Sequence, residues 1–102
     1  MFKKFNLFLL TAFTSFQLFA QQNSILVFSK TAGFRHVSIK EGRDFFENLG
    51  KTNGFKVVLS ENADEFKEEN LKKFNAVVFL NTTGDVLNPA QQSDFERYIQ
   101  SG

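Results

Sequence analysis

Two short segments concentrate the side chains that could do chemistry. The first is Lys30-Thr31-Ala32-Gly33-Phe34-Arg35-His36 and the second is Asn81-Thr82-Thr83-Gly84-Asp85. His36 is the only imidazole in the chain. It stands just ahead of a helical pattern, where the positive end of a helix favours the uncharged ring. A neutral imidazole can act as a base, a hydrogen-bond donor or a metal ligand. The plainer alternative is a loop histidine that bonds only to its neighbours. Arg35 can bind an anion or a sugar hydroxyl, or be a solvated surface charge. Phe34 can stack on a sugar ring, or plug the first helix. Asp85, after Gly84, can accept from hydroxyls, serve as a general base, or only satisfy the donors of a turn. Thr82 and Thr83 offer hydroxyls and exposed N–H groups, or simple strand-end turn chemistry.

Several familiar chemistries are excluded. The first segment has one glycine, Gly33, and no G-x-G-x-x-G run, so it is neither a dinucleotide fingerprint nor a phosphate-binding Walker loop. Ser29-Lys30 ends the first strand pattern where a receiver domain would place carboxylates. The chain has no Cys, which removes disulfides, thiolate metal sites and a cysteine nucleophile. One His without Cys is too few ligands for a metal centre, so no metal and no cofactor is expected.

The elements that must position these segments read as βα units. Ser24–Ser29, Lys56–Ser60 and Ala76–Leu80 are short apolar runs without strict alternation, which suits strands of a parallel sheet buried on both faces. Between the first two, Ser38-Ile39-Lys40-Glu41 has the spacing of a capping box, and Ile39, Gly42, Phe45, Phe46 and Leu49 share a helical face. Asn53-Gly54 stops that helix. A weaker helix is expected over Glu68–Phe74, with Lys67 where a capping side chain would be better. Its run of Lys67, Glu68, Glu69, Lys72 and Lys73 reads as a solvated face. The third helix is well signed: Asn88 can cap, Pro89 fits the first position, Gln91 completes a capping box, and Phe95 and Ile99 point inward with Tyr98 beside them. Strands alternating with helices imply right-handed crossovers and an open sheet covered by helices. Ligands of such sheets bind beyond the carboxyl ends of the strands. Both polar segments lie there, after strands one and three. The loop after strand two, Glu61-Asn62-Ala63-Asp64, looks more ordinary.

The 102 residues amount to one small domain, with 12 Lys+Arg against 11 Asp+Glu and 42% hydrophobic residues. This balance fits neither a nucleic-acid binder nor a disordered acidic chain. The N-terminus has its own pattern. Lys3-Lys4 is a positive head, Leu7–Phe16 an apolar stretch, and Ala20 a small residue at the expected cut. This is the order of a secretory signal peptide over residues 1–20, cleaved before Gln21, with the remainder periplasmic or secreted. The stretch is too short and too interrupted for a stable membrane span.

Ile25–His36, Ala76–Asn88 and Phe95–Gly102, with G-F-R-H and T-T-G-D in that order, resemble the trehalose-utilisation (ThuA-like) domain family. The resemblance implies a flavodoxin-like sheet, similar to class I glutamine amidotransferases but without their cysteine-based glutaminase chemistry. It implies carbohydrate metabolism acting on trehalose, a glycoside or a keto-sugar. It transfers to this chain only motif positions: Gly33, Phe34, Arg35, His36, Thr82, Thr83, Gly84 and Asp85.

The combined expectation is a parallel α/β sheet of three βα units in the order 2-1-3, in which residues 21–102 form the N-terminal part of a ThuA-like domain. His36 and Asp85 are the candidates for moving protons. Gly33, Phe34, Arg35, Thr82, Thr83 and Gly84 are the candidates for holding a small carbohydrate. The competing expectations are a carbohydrate-binding or scaffold module without turnover, within a longer exported chain, and an inactive fragment.

Overall fold

The computed structural model describes residues 22–102. The signal peptide expected over residues 1–20 lies outside them. The order of elements is β1 (Ser24–Phe28), α1 (Ile39–Asn53), β2 (Lys56–Ser60), a 3-10 turn (Ala63–Glu65), α2 (Glu68–Leu71), β3 (Ala76–Phe79) and α3 (Pro89–Gln100). The sheet is parallel throughout, in the order β2-β1-β3. This is the expected flavodoxin-like arrangement, with both crossovers helical.

The register sorts the strand residues onto two faces. Leu26 pairs with Val58 and Val77, and Phe28 with Ser60 and Phe79. Leu26 and Phe28, fully buried, join Phe66, Leu71 and Phe74 in the main core, with Phe95 and Tyr98 of α3 packed against it. Aromatic rings fill this face: Phe28 and Phe66 meet edge to face at 4.7 Å, and Phe95 touches both Phe66 and Phe79. Burial of each such side chain contributes about 1.5–3 kcal/mol.

The opposite face closes by backbone approach instead of by volume. A Cβ added at Gly42 of α1 would lie 2.8 Å from Leu80 Cδ1, and one at Gly50 would lie 2.7 Å from Val57 Cγ2. α1 therefore lies close against the sheet because two of its turns carry no side chain. Gly54 ends the helix as expected, in the left-handed region at φ 75° with its N–H bonded to Gly50 O.

Four local expectations are corrected. Ser38 does not form a capping box. Its backbone is helical, and its hydroxyl accepts instead from Asn81 Nδ2 at 2.8 Å. The buried stripe of α1 is Ile39 and Gly50 with half-buried Gly42, Arg43 and Phe46, whereas Phe45 (59% exposed) and Leu49 turn outward. α2 is one turn only, and its missing local cap is supplied from afar: Glu68 N–H donates to Asp94 Oδ2 of α3 at 3.0 Å. On α3 the inward stripe is Gln91, Asp94, Phe95 and Tyr98, and Ile99 is exposed. Tyr98 O–H donates to Phe74 O at 2.7 Å, which ties this stripe to the core. The capping box of α3 is present: Asn88 N–H donates to Gln91 Oε1 and Gln91 N–H to Asn88 Oδ1, both at 2.8 Å. Only β1 is buried along most of its length. β2 and β3 are half-buried, and no described residue pairs with the outer edge of either.

Candidate functional site

The loops after β1 and β3 meet directly. β1 and β3 are neighbours, so their carboxyl ends deliver Lys30–His36 and Asn81–Asp85 to the same place. Thr31 and Thr83 form an isolated parallel bridge. Thr83 O accepts from Ala32 N–H at 2.8 Å and from Gly33 N–H at 3.3 Å, and Thr83 Oγ1 donates to Phe34 O at 2.6 Å. Gly84, at φ 74°, lets the chain turn where a Cβ would sit 3.0 Å from Gly33 N and 3.1 Å from Ala32 Cβ. Beside it, Asn81 takes φ 50° and reaches Ser38 at the start of α1. The two segments thus form a hydrogen-bonded latch across the point where the crossovers leave to opposite faces of the sheet. Thr83 and Gly84 spend their polar and conformational capacity within that latch. Thr82 lies half-buried beside them.

The charged members of the first segment turn toward the β2 side. Arg35 forms a forked pair with Glu61, Nη1 to Oε1 at 2.5 Å and Nη2 to Oε2 at 3.3 Å. Arg43 of α1 approaches the same carboxylate at 3.7 Å and also donates to the hydroxyl of fully buried Ser29 at 3.3 Å. Chiefly through its hydrogen bond, Glu61 raises the Arg35 pKa above the ordinary value, so that guanidinium stays charged. Phe34 is 71% exposed and its ring meets the His36 ring edge on at 5.0 Å, so it is not a plug over the first helix. Arg35 and His36, with Val37, Ile39 and Lys40, line a small cavity of about 220 Å³ at the start of α1.

Asp85 lies elsewhere, on a cleft of about 500 Å³ at the carboxyl ends of all three strands. Lys30 enters it after β1, Glu61 and Asp64 after β2, and Asp85 and Gln91 from β3 onward. The loop read as ordinary in sequence therefore forms one wall. Glu61 follows directly on Ser60 at a strand end, and that position was the signal available in the sequence. Arg43 gives no comparable signal, because its role depends on where α1 lies against β1 and the β2 loop. Lys30, Asp64 and Asp85 make no side-chain hydrogen bond or ion pair with any other described residue, and Asp64 and Asp85 are exposed. These free charged groups can accept from and donate to a bound polar molecule.

Of the expected site residues, then, the fold joins Gly33, Phe34, Thr83 and Gly84 in the latch, places Arg35 and His36 on one cavity, and Asp85 on the other. Among the described residues no three His, Cys, Asp or Glu side chains gather as a metal-holding group, and no helix is long and apolar enough to cross a membrane.

No curated protein and no solved structure matches the chain. The sequence model of a family described as trehalose utilisation (ThuA) matches residues 24–102, which spans β1 through α3 and includes both loops of the latch. A match over most of the chain, on a parallel α/β sheet with strand order 2-1-3, means that the protein belongs to the trehalose-utilisation (ThuA) family.

Proposed function

We propose that the chain acts in carbohydrate utilisation after export, holding a trehalose-like disaccharide, a glycoside or a keto-sugar at the carboxyl ends of β1 and β3. The observation that carries this reading is the latch itself. It unites the two motif segments at the switch point of the sheet, where open α/β sheets take their ligands, in a chain of the trehalose-utilisation family. Asp85 is the hydroxyl acceptor or base, His36 the second proton-handling group, and Phe34 and Arg35 a ring face and a cationic donor beside it. The exposed carboxylates of Asp64 and Asp85, the side-chain amides of Asn62 and Gln91 and the amine of Lys30 in the cleft suit a polyol. The test is titration calorimetry and a product assay with trehalose on the full chain. His36→Ala and Asp85→Ala should each weaken binding or turnover about tenfold or more with folding unchanged, the loss of one charge-assisted hydrogen bond. Wild-type behaviour of both variants would sink the assignment.

A second reading, a carbohydrate-binding module without turnover, is favoured by one observation: His36 and Asp85 line different cavities. Binding of trehalose without any product from the wild-type chain would select it.

Two further parts of the proposal concern the chain as a whole. Residues 1–20 act as a signal peptide, so mass spectrometry of the exported protein should find Gln21 at the N-terminus, and intact Met1 on a cytoplasmic species would refute export. Residues 21–102 form the N-terminal part of a larger ThuA-like domain. The support is the outer edge of β3, where Phe79 is half-exposed and no described strand covers it.

A further inference from the structure

We propose that Asn53-Gly54 is a self-modification site, an asparagine that deamidates without an enzyme, and that the last turn of α1 holds the reaction off while the chain is folded. Neither residue belongs to the latch or the cleft. Asn53-Gly54 is the one Asn-Gly pair in the sequence. In such a pair the glycine nitrogen, with no side chain beside it, can attack the asparagine Cγ. The N–Cγ bond forms, the Cγ–Nδ2 bond breaks, and ammonia leaves with the proton of the Gly54 N–H. Water then opens the cyclic imide at one carbonyl or the other, giving aspartate or isoaspartate. Both residues are exposed, and no atom beyond the chain neighbours lies within 4 Å of where a Gly54 Cβ would be, so water reaches the turn.

The fold opposes each part of this step. Asn53 is the last residue of α1, and ring closure needs its ψ outside the helical well. Its Nδ2 donates back to Leu49 O at 2.8 Å, which turns the amide toward the preceding turn and away from Gly54 N. The attacking nitrogen is committed too. Gly54 N–H donates to Gly50 O at 2.9 Å, and Phe55 N–H donates to the same oxygen at 3.1 Å. Gln22 Nε2 fixes the turn from outside by donating to Gly54 O at 3.3 Å. Closure therefore waits for a local opening that breaks the bonds to Leu49 O and Gly50 O, the fraying that helix ends undergo. The change does not reverse once ammonia has left. A carboxylate at position 53 has no N–H for Leu49 O, and it adds negative charge at the carbonyl end of the helix, where that sign is unfavourable. Isoaspartate also lengthens the backbone by a methylene just before Phe55 leads into β2, whose Lys56 N–H is bonded to Asn23 O. Each modified molecule thus has a looser α1 end than the one it came from.

The test is incubation of the full chain at mildly alkaline pH, native and in guanidinium, followed by peptide mass spectrometry at position 53. The denatured chain should convert about tenfold faster than the native one or more, because native conversion is scaled by the fraction of time the turn is open. In hydrogen exchange, Asn53→Asp should leave the Gly54 and Phe55 N–H groups less protected than in the unmodified chain. A smaller difference between the two rates, or no conversion in the denatured chain, overturns the proposal. So does an Asn53→Asp chain whose protection at Gly54 and Phe55 matches wild type, since the product would then leave the helix end as firm as before.

Discussion

The latch and the cleft lie side by side at the same end of the sheet, and both are rich in polar residues. They differ in where their polar groups are spent. In the latch, Thr83 O takes two backbone N–H groups, the Thr83 hydroxyl is committed to Phe34 O, and Asn81 holds Ser38. In the cleft, Lys30, Asp64 and Asp85 have no partner among the described residues. Polar residues at a strand end are therefore of two kinds. Those already satisfied by the chain shape the site, and those left unsatisfied in an open concavity are available to a ligand.

The comparison breaks most decisively at Gly84. Gly84→Val forces a β-branched residue to positive φ and drives its Cβ against Gly33 and Ala32. Together these should cost about 2–4 kcal/mol in denaturant unfolding. A cost below about 0.5 kcal/mol, the range of neutral surface changes, would mean that the latch is not a constraint on the fold.

The core beneath both regions gives a separate, smaller signal. Burial raises the Tyr98 pKa above that of a free phenol. A raised folded-state value means that its stabilising contribution is fully present below the ordinary phenol pKa, near about 10, and is lost as pH rises through the folded value. Tyr98→Phe should remove this alkaline loss. It should also cost about 1 kcal/mol at neutral pH for the lost bond to Phe74 O. Equal alkaline sensitivity in the two proteins would assign the loss to other groups.

Thr83→Val keeps the shape and removes only the hydroxyl donation to Phe34 O. Because this bond is exposed, about 0.5–1 kcal/mol is expected. Hydrogen exchange at Ala32 and Gly33 should stay slow, since their acceptor is the backbone oxygen of residue 83. Fast exchange there would show that the hydroxyl, and not the backbone pairing, holds the latch.

The smallest effect on stability belongs to the cleft. Asp85→Asn and Asp64→Asn should each lie within about 0.5 kcal/mol of wild type yet weaken trehalose binding. A large loss of stability in either would make it part of the scaffold and erase the distinction between the two regions.

The sites followed the same division when read from sequence. Both loops of the latch were legible, because the rule that ligands gather at strand carboxyl ends needs only the strand positions. The β2 loop, Glu61-Asn62-Ala63-Asp64, carries no residue type that sets it apart locally. Glu61 and Asp64 line the cleft only because the 2-1-3 order sets their loop beside those of β1 and β3. Helix ends show the same limit. Asn88 and Gln91 lie three residues apart, and their reciprocal caps were evident. α2 depends on Asp94, 26 residues away, and Ser38 is claimed by Asn81, 43 residues away.

What this sequence determined by itself is whatever acts within a few residues: three apolar strand runs, the glycine stop of α1 at Gly54, the proline and capping box of α3, and through their alternation a parallel α/β sheet. Helical periodicity alone grouped Phe45 and Leu49 with Ile39, and Ile99 with Phe95. A helix pattern states that a face is apolar, and only the sheet beneath decides how wide a stripe it covers. Gly42 and Gly50 bring α1 down along a line that leaves Phe45 and Leu49 outside, and Phe66 and Phe79 take Phe95, with Tyr98 held at Phe74 O, while Ile99 stays exposed. Tertiary structure likewise decided which charges are matched and which stay free, because Arg35, Arg43 and Glu61 come from three separate elements and meet only when the strand order is set. Contacts between distant segments carry no local signature, since their energy exists only once the chain has closed the loops between them.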